Sequence, residues 1–152
     1  LGKIIQVKQI GKTDITSVQS SGNNDYSDIP NFSLAITPSS TSSKILVMVA
    51  LTVGGNNGAF SLKLFRGSTE IGSPSSGTRP AMIHRYTTAQ YLDSNVINFL
   101  DSPNTTAPVT YKVYIRSEAG TVEFPANDGY QRSRMFLFEI AGGSTTSVAV
   151  GS

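Results

Sequence analysis

His84 is the only histidine in the chain, and it opens the stretch HRYTTAQY (84–91). A hydrolytic centre of the Ser-His-Asp kind would need a nucleophile and an orienting carboxylate brought to that ring. No G-x-S-x-G elbow is present, and the Ser-Gly pairs stand in turn-like contexts, so no serine is marked as a nucleophile. Acid–base cleavage of glycosidic bonds would need two carboxylates at a set separation, with Glu118 and Glu123, or Asp93 and Asp101, as the available pairs. Charged residues near strand ends are mostly solvated, so neither pair is assigned a catalytic role. One histidine and no cysteine leave no ligand set for a transition metal, and the six aspartates form no D-x-D-x-D-G loop for calcium. The expectation is therefore no enzyme, no metal and no cofactor. Recognition is the chemistry that remains. His84, Arg85, Tyr86, Gln90 and Tyr91 combine flat apolar rings, hydroxyls and a planar donor fork, a mixture suited to a sugar or a protein surface. The plainer alternative is that the two tyrosines cover a subunit contact or a sheet edge.

The elements that would carry such a surface are strands. With 152 residues the chain suits one domain, large enough for a core of its own. Only 14% of residues are charged, against about 25% in ordinary soluble domains. Their place is taken by 21 Ser, 15 Thr and 14 Gly, the composition of pleated surfaces and turns. The net charge of +2 is spread without basic clusters, which argues against nucleic acid as a partner. Without cysteine there are no disulfides, so stability must come from packing, oligomerisation or both.

The stretch PSSTSSKILVMVALTVGG (38–55) sets a polar turn against nine residues with almost no polarity. That run is about half the ~20 residues of a membrane-spanning helix, so no membrane insertion is expected. Its valines and its glycine ends favour a strand. Ile45, Val47, Val49, Leu51 and Val53 would face one way and Leu46, Met48 and Ala50 the other. A strand apolar on both faces needs cover on both. The second set is therefore the candidate subunit interface. Further strands are expected at 3–10, 31–37, 59–67, 95–103 and 108–117, with a weak one around 14–18. The segments 121–126 and 129–141 bracket Asn127-Asp128-Gly129 as a hairpin, and 78–93 reads as a loop. About eight short strands between turns predict an all-β fold, an antiparallel β-sandwich or jelly roll, over residues 1–141, followed by a flexible tail at 142–152. No signal peptide is visible, and a start at Leu1 without Met fits a processed chain or one cut from something longer that enters from the N-terminal side.

The segments ITPSSTSSKILV (36–47) and LDSP…TYKV (100–113), with GKIIQVKQ, FSLKLFRGSTEIG and RMFLFEIAG around them, resemble virion structural domains of marine and cyanobacterial tailed phages. The likeness covers roughly residues 2–142. It implies a jelly-roll homotrimer, similar in shape to tumour-necrosis-factor-like and complement-like trimers, with no catalytic residues to carry over. It further implies a virion location, outside the cell after assembly in the host cytoplasm, and a knob or tip of a tail or head fibre attaching to the host. The implied partners are its own copies, other virion proteins, and a host surface glycan or protein. Other readings are a capsid decoration (cement) protein, a carbohydrate-degrading appendage enzyme, and a cytokine-like ligand, the last lacking any signal sequence or anchor.

Overall fold

The computed structural model describes residues 2–19, 26–56, 59–76, 81–85, 91–118, 120–124 and 132–142. These hold eleven strands and no helix: β1 (Ile4–Lys12), β2 (Thr16–Gln19), β3 (Ser27–Ile36), β4 (Lys44–Asn56), β5 (Phe60–Arg66), β6 (Thr69–Ile71), β7 (Ile83–Arg85), β8 (Tyr91–Asp101), β9 (Val109–Ser117), β10 (Thr121–Phe124) and β11 (Ser133–Ile140). In sheet I, β8 runs along one edge of β4, while β11 and β10 follow one another along the other. Outside them lie β1, on β11, and β2, on β10. Sheet II has the order β3-β9-β5, with β6 and β7 sharing the far edge of β5. Every pairing is antiparallel. The chain passes back and forth between the two sheets, from β2 to β3, β4, β5, and again through β8, β9 and β10. That exchange makes the sandwich a jelly roll.

The core is built by alternation. Ile45, Val47, Val49, Leu51 and Val53 of β4 are all buried, as are Phe60, Leu62 and Leu64 of β5 and Tyr111, Val113 and Ile115 of β9. Strand β3 breaks the rule and shows why the alternation alone fell short. Ile29 and Phe32 are both buried, although three residues apart. Pro30 lacks a backbone donor and Asn31 takes a positive φ of 58°, and the pairing with β9 slips between Asp28 and Ser33. The slip resets the parity, and Phe32 then meets Phe124 of the opposite sheet at 5.3 Å between ring centroids. The polar run before Asn31 hid the first half of this strand from the sequence pattern.

Strands β10 and β11 do not pair with each other as the hairpin expected across Asn127–Gly129 would have them. Strand β10 pairs with β4 on one edge and with β2 on the other, so no edge is left for β11. Residues 125–131 themselves lie outside the described residues. After Arg66 the chain turns straight into β6: Gly67, with φ 58°, and Ser68 close a two-residue hairpin that pairs Arg66 with Thr69. The tail at 143–152 also lies outside the described residues.

Two polar locks close the sandwich. Asp101, at the end of β8, accepts both Arg66 Nη1 contacts at 2.8 and 2.9 Å and the Tyr111 hydroxyl at 2.7 Å, tying sheet I to sheet II. Burial, reinforced by the neighbouring Asp101 carboxylate, pushes the Tyr111 phenol far above its ordinary value. At the other lock, the buried Glu139 accepts hydrogen bonds from Ser39 N at 2.6 Å and Ser39 Oγ at 2.7 Å. The Ser-rich turn is closed on itself by Ser43 N to Ser40 O, 3.1 Å, and Ser42 N to Ser40 Oγ, 3.2 Å. Ser-Ser-Thr-Ser-Ser is thus an anchored corner that delivers the chain into β4.

Candidate interaction surface

The side of sheet I turned away from the core carries the residues expected at an interface. Leu46 is half-buried, Met48 is 37% exposed and Ala50 is exposed. Register extends the set across the sheet. Val7 of β1, Phe138 of β11, Leu46 of β4 and Leu100 of β8 form one row; Gln9, Phe136, Met48 and Asn98 form the next; Gly11, Arg134, Ala50 and Val96 a third. Beyond them Gly54 stands beside Leu92. Val7, Leu92, Val96 and Leu100 are between 44% and 60% exposed, and Phe136 and Phe138 stack at 6.1 Å. Contiguous apolar surface of this kind on a folded domain marks a contact site. Within the chain nothing among the described residues covers it. Sequence reasoning found the β4 part because both parities of that strand are apolar. It missed β8, whose apolar residues alternate with Asp93, Asn95 and Asp101, and β11, where core and surface sets are equally hydrophobic.

The face has one carboxylate among the described residues. In β10, Val122 and Phe124 point into the core, so Thr121 and Glu123 point outward; Glu123 pairs in register with Gly54 and Ser17. Arg134 is exposed beside Ala50, and Arg132, exposed as well, approaches the Cβ position of Gly11 at 3.7 Å.

The recognition stretch at 84–91 is split. His84 and Arg85 belong to β7, not to a loop, and Tyr91 opens β8; Tyr86 and Gln90 lie outside the described residues. Arg85 and His84 diverge. Arg85 Nη1 donates to Asp93 Oδ2 at 2.6 Å, joining the rims of the two sheets. His84 faces the outside of sheet II, where its Nδ1 lies 2.8 Å from Ser61 Oγ and 3.6 Å from Glu118 Oε1. Arg116 donates to the same carboxylate. The three residue types of a hydrolytic triad meet here, but both partners share one ring nitrogen, and Ser61 is fully buried. A triad histidine needs serine at one nitrogen and carboxylate at the other. The two carboxylate pairs are separated as well. Asp93 and Asp101 lie eight residues apart on one strand, about 26 Å, far beyond the roughly 5–9.5 Å of glycosidases. Glu118 faces the outside of sheet II and Glu123 the outside of sheet I.

Beside the His84 cluster, Tyr26 lies under Lys63 Nζ at 4.5 Å and Arg116 Cζ at 5.2 Å, and Phe65 packs on Tyr114 at 4.2 Å. Lys63 pairs with Glu70 and Lys112 with Asp28, so this mixed face is internally neutralised. No group of His, Asp and Glu among the described residues could hold a metal ion.

No protein-family model and no curated protein matches the chain. Among solved structures, the VP2 protein of infectious bursal disease virus, in derived T=1 particles, aligns over 91% of this chain with 16% identity and a TM-score of 0.51. A VP2 subviral particle of the same virus aligns over 91% with 14% identity and a TM-score of 0.50. An Eiger tumour necrosis factor from S. frugiperda covers 97% of the chain and 100% of its own length, at 9% identity and a TM-score of 0.49. The chain spans only 37% and 38% of the two VP2 proteins. At such identities the likeness to VP2 is one of fold: this chain is a jelly-roll β-sandwich, an architecture that VP2 also contains.

Proposed function

We propose that this chain is a structural domain of a virus particle that works by binding, not by catalysis. In this reading it forms the trimeric knob or tip of a tail or head fibre, of the kind found in tailed phages, and attaches the particle to the host surface. The observation that carries the reading is the open apolar side of sheet I. Three copies packed on those faces would cover Leu46, Met48, Phe136 and Phe138, giving a cysteine-free domain the extra burial it needs outside a cell. Sheet II and the distal loops then remain free for weak host contacts, which three-fold repetition strengthens through avidity.

Light scattering on the full chain tests this. The expected mass is three times 16.1 kDa. Met48→Asp, at an exposed position, should give a folded chain of one-third that mass. A wild-type monomer at micromolar concentration would remove the physical basis of the reading.

A second reading, decoration of a capsid shell, draws support from the fold shared with a viral particle protein. The two part company in a binding assay. A fibre knob binds intact host cells, while a decoration protein binds purified shells and ignores cells.

A further inference from the structure

On the outer side of sheet I, with Arg132 as a second cation nearer the rim, stand two opposed charges, Arg134 and Glu123. Neither forms a hydrogen bond or ion pair among the described residues, and Glu123 is the only carboxylate on that side among them. Both lie along the same edge of β4, Arg134 beside Ala50 and Glu123 beside Gly54. Four residues separate these positions, or roughly 13 Å along the strand. Apolar residues lie across β4 from both: Val96 beyond Ala50 from the arginine and Leu92 beyond Gly54 from the carboxylate, whose other neighbour is Ser17 of β2. Covering the face with an apolar partner would strip water from both charges and leave each uncompensated, which is strongly unfavourable. A partner therefore has to offer a carboxylate where Arg134 lands and a cation where Glu123 lands. A second copy of this face offers both.

We propose that, in the self-associated protein, Arg134 of one copy pairs with Glu123 of the next across the outer faces of sheet I. This rests on the self-association put forward above and adds what sets its register. The apolar rows supply attraction without direction, and Glu123, the one carboxylate on this side among the described residues, selects the alignment that brings it to a neighbour's arginine. Like charges brought together in a slipped alignment would be repelled. Arg132, further toward the rim beside Gly11, adds positive potential that favours the approach of a neighbour's carboxylate.

The test uses two full-length variants, Arg134→Glu and Glu123→Arg, with dissociation followed by sedimentation at a series of concentrations. Each alone is expected to weaken association by more than about tenfold. The double variant Arg134→Glu/Glu123→Arg is expected to restore it, because every junction of the ring again carries opposite charges, whereas a mixture of the single variants leaves a like-charged junction in any ring of three. If the wild type is monomeric throughout, the underlying reading fails and this pairing with it. If the wild type associates and the reversals leave its dissociation unchanged, the pairing is overturned while the reading stands. A double variant that associates no better than the single ones would also overturn it. Should a reversal impair folding, Arg134→Gln and Glu123→Gln serve instead. They are expected to abolish the salt dependence of wild-type dissociation, and an unaltered salt dependence would count against the pairing.

Discussion

At Glu139, burial and hydrogen bonding act in opposite directions. Burial opposes ionisation, but the two hydrogen bonds from Ser39 outweigh it, and the carboxyl titrates below its ordinary value of 4.5. The unfolded chain therefore binds a proton that the folded chain still refuses. The resulting stability is present above the ordinary Glu range and is lost as pH falls through the lower, folded value. Glu139→Gln is expected to lower stability by about 1–3 kcal/mol near neutrality. That deficit should shrink as urea midpoints are measured from pH 6 down toward pH 3; a deficit independent of pH would mean that shape, not charge, matters here. At Asp101 the same reasoning separates two losses. Tyr111→Phe removes one donor and leaves the Arg66 pair intact, costing about 1–2 kcal/mol. Asp101→Ala leaves the buried Tyr111 hydroxyl without its acceptor and Arg66 with Ser102 O alone, and about 3–5 kcal/mol is expected in the same urea assay.

Between residues and elements stand the turns. Gly67 and Gly72 both have positive φ, but their surroundings differ. A Cβ at Gly67 meets nothing within 4 Å, while one at Gly72 would sit 2.8 Å from Met82 Cε and 2.9 Å from Phe99 Cδ2. Gly67→Ala should cost about 1 kcal/mol for the backbone alone, and Gly72→Ala more, because Met82 and Phe99 pack against the core and must shift. Equal thermal midpoints for the two would contradict the packing contribution. Such turns also mark where sequence reading stopped. The central strands were legible because their alternation is clean: Phe60, Leu62 and Leu64 face inward as their spacing requires. The half of β3 before Asn31 was hidden by a bulge, which breaks the period that pattern reading depends on. Strand β6 was hidden by its own polarity, and the edges chosen by β10 depend on contacts with β2 and β4 that no local pattern encodes. For the same reason His84 and Arg85 looked like neighbours in one surface, although strand geometry sends them to opposite sides of sheet II.

For the whole molecule the open question is how a chain without disulfides holds together when one sheet presents phenylalanine, leucine and valine to solvent. A partner that binds the folded chain and not the unfolded one adds stability in proportion to the logarithm of its concentration. If the partner is another copy, the protein's own concentration is the variable. Its unfolding midpoint should then rise as the chain is made more concentrated, by about 2.7 kcal/mol of stabilisation where the concentration exceeds the dissociation constant a hundredfold. Met48→Asp should abolish that dependence and leave the dilute-limit midpoint nearly unchanged, since Met48 is already 37% exposed in the single chain. Calorimetry over a hundredfold range of concentration checks both. A wild-type midpoint indifferent to concentration would mean that the apolar side of sheet I meets something other than itself, and a capsid shell would then be the first surface to offer it.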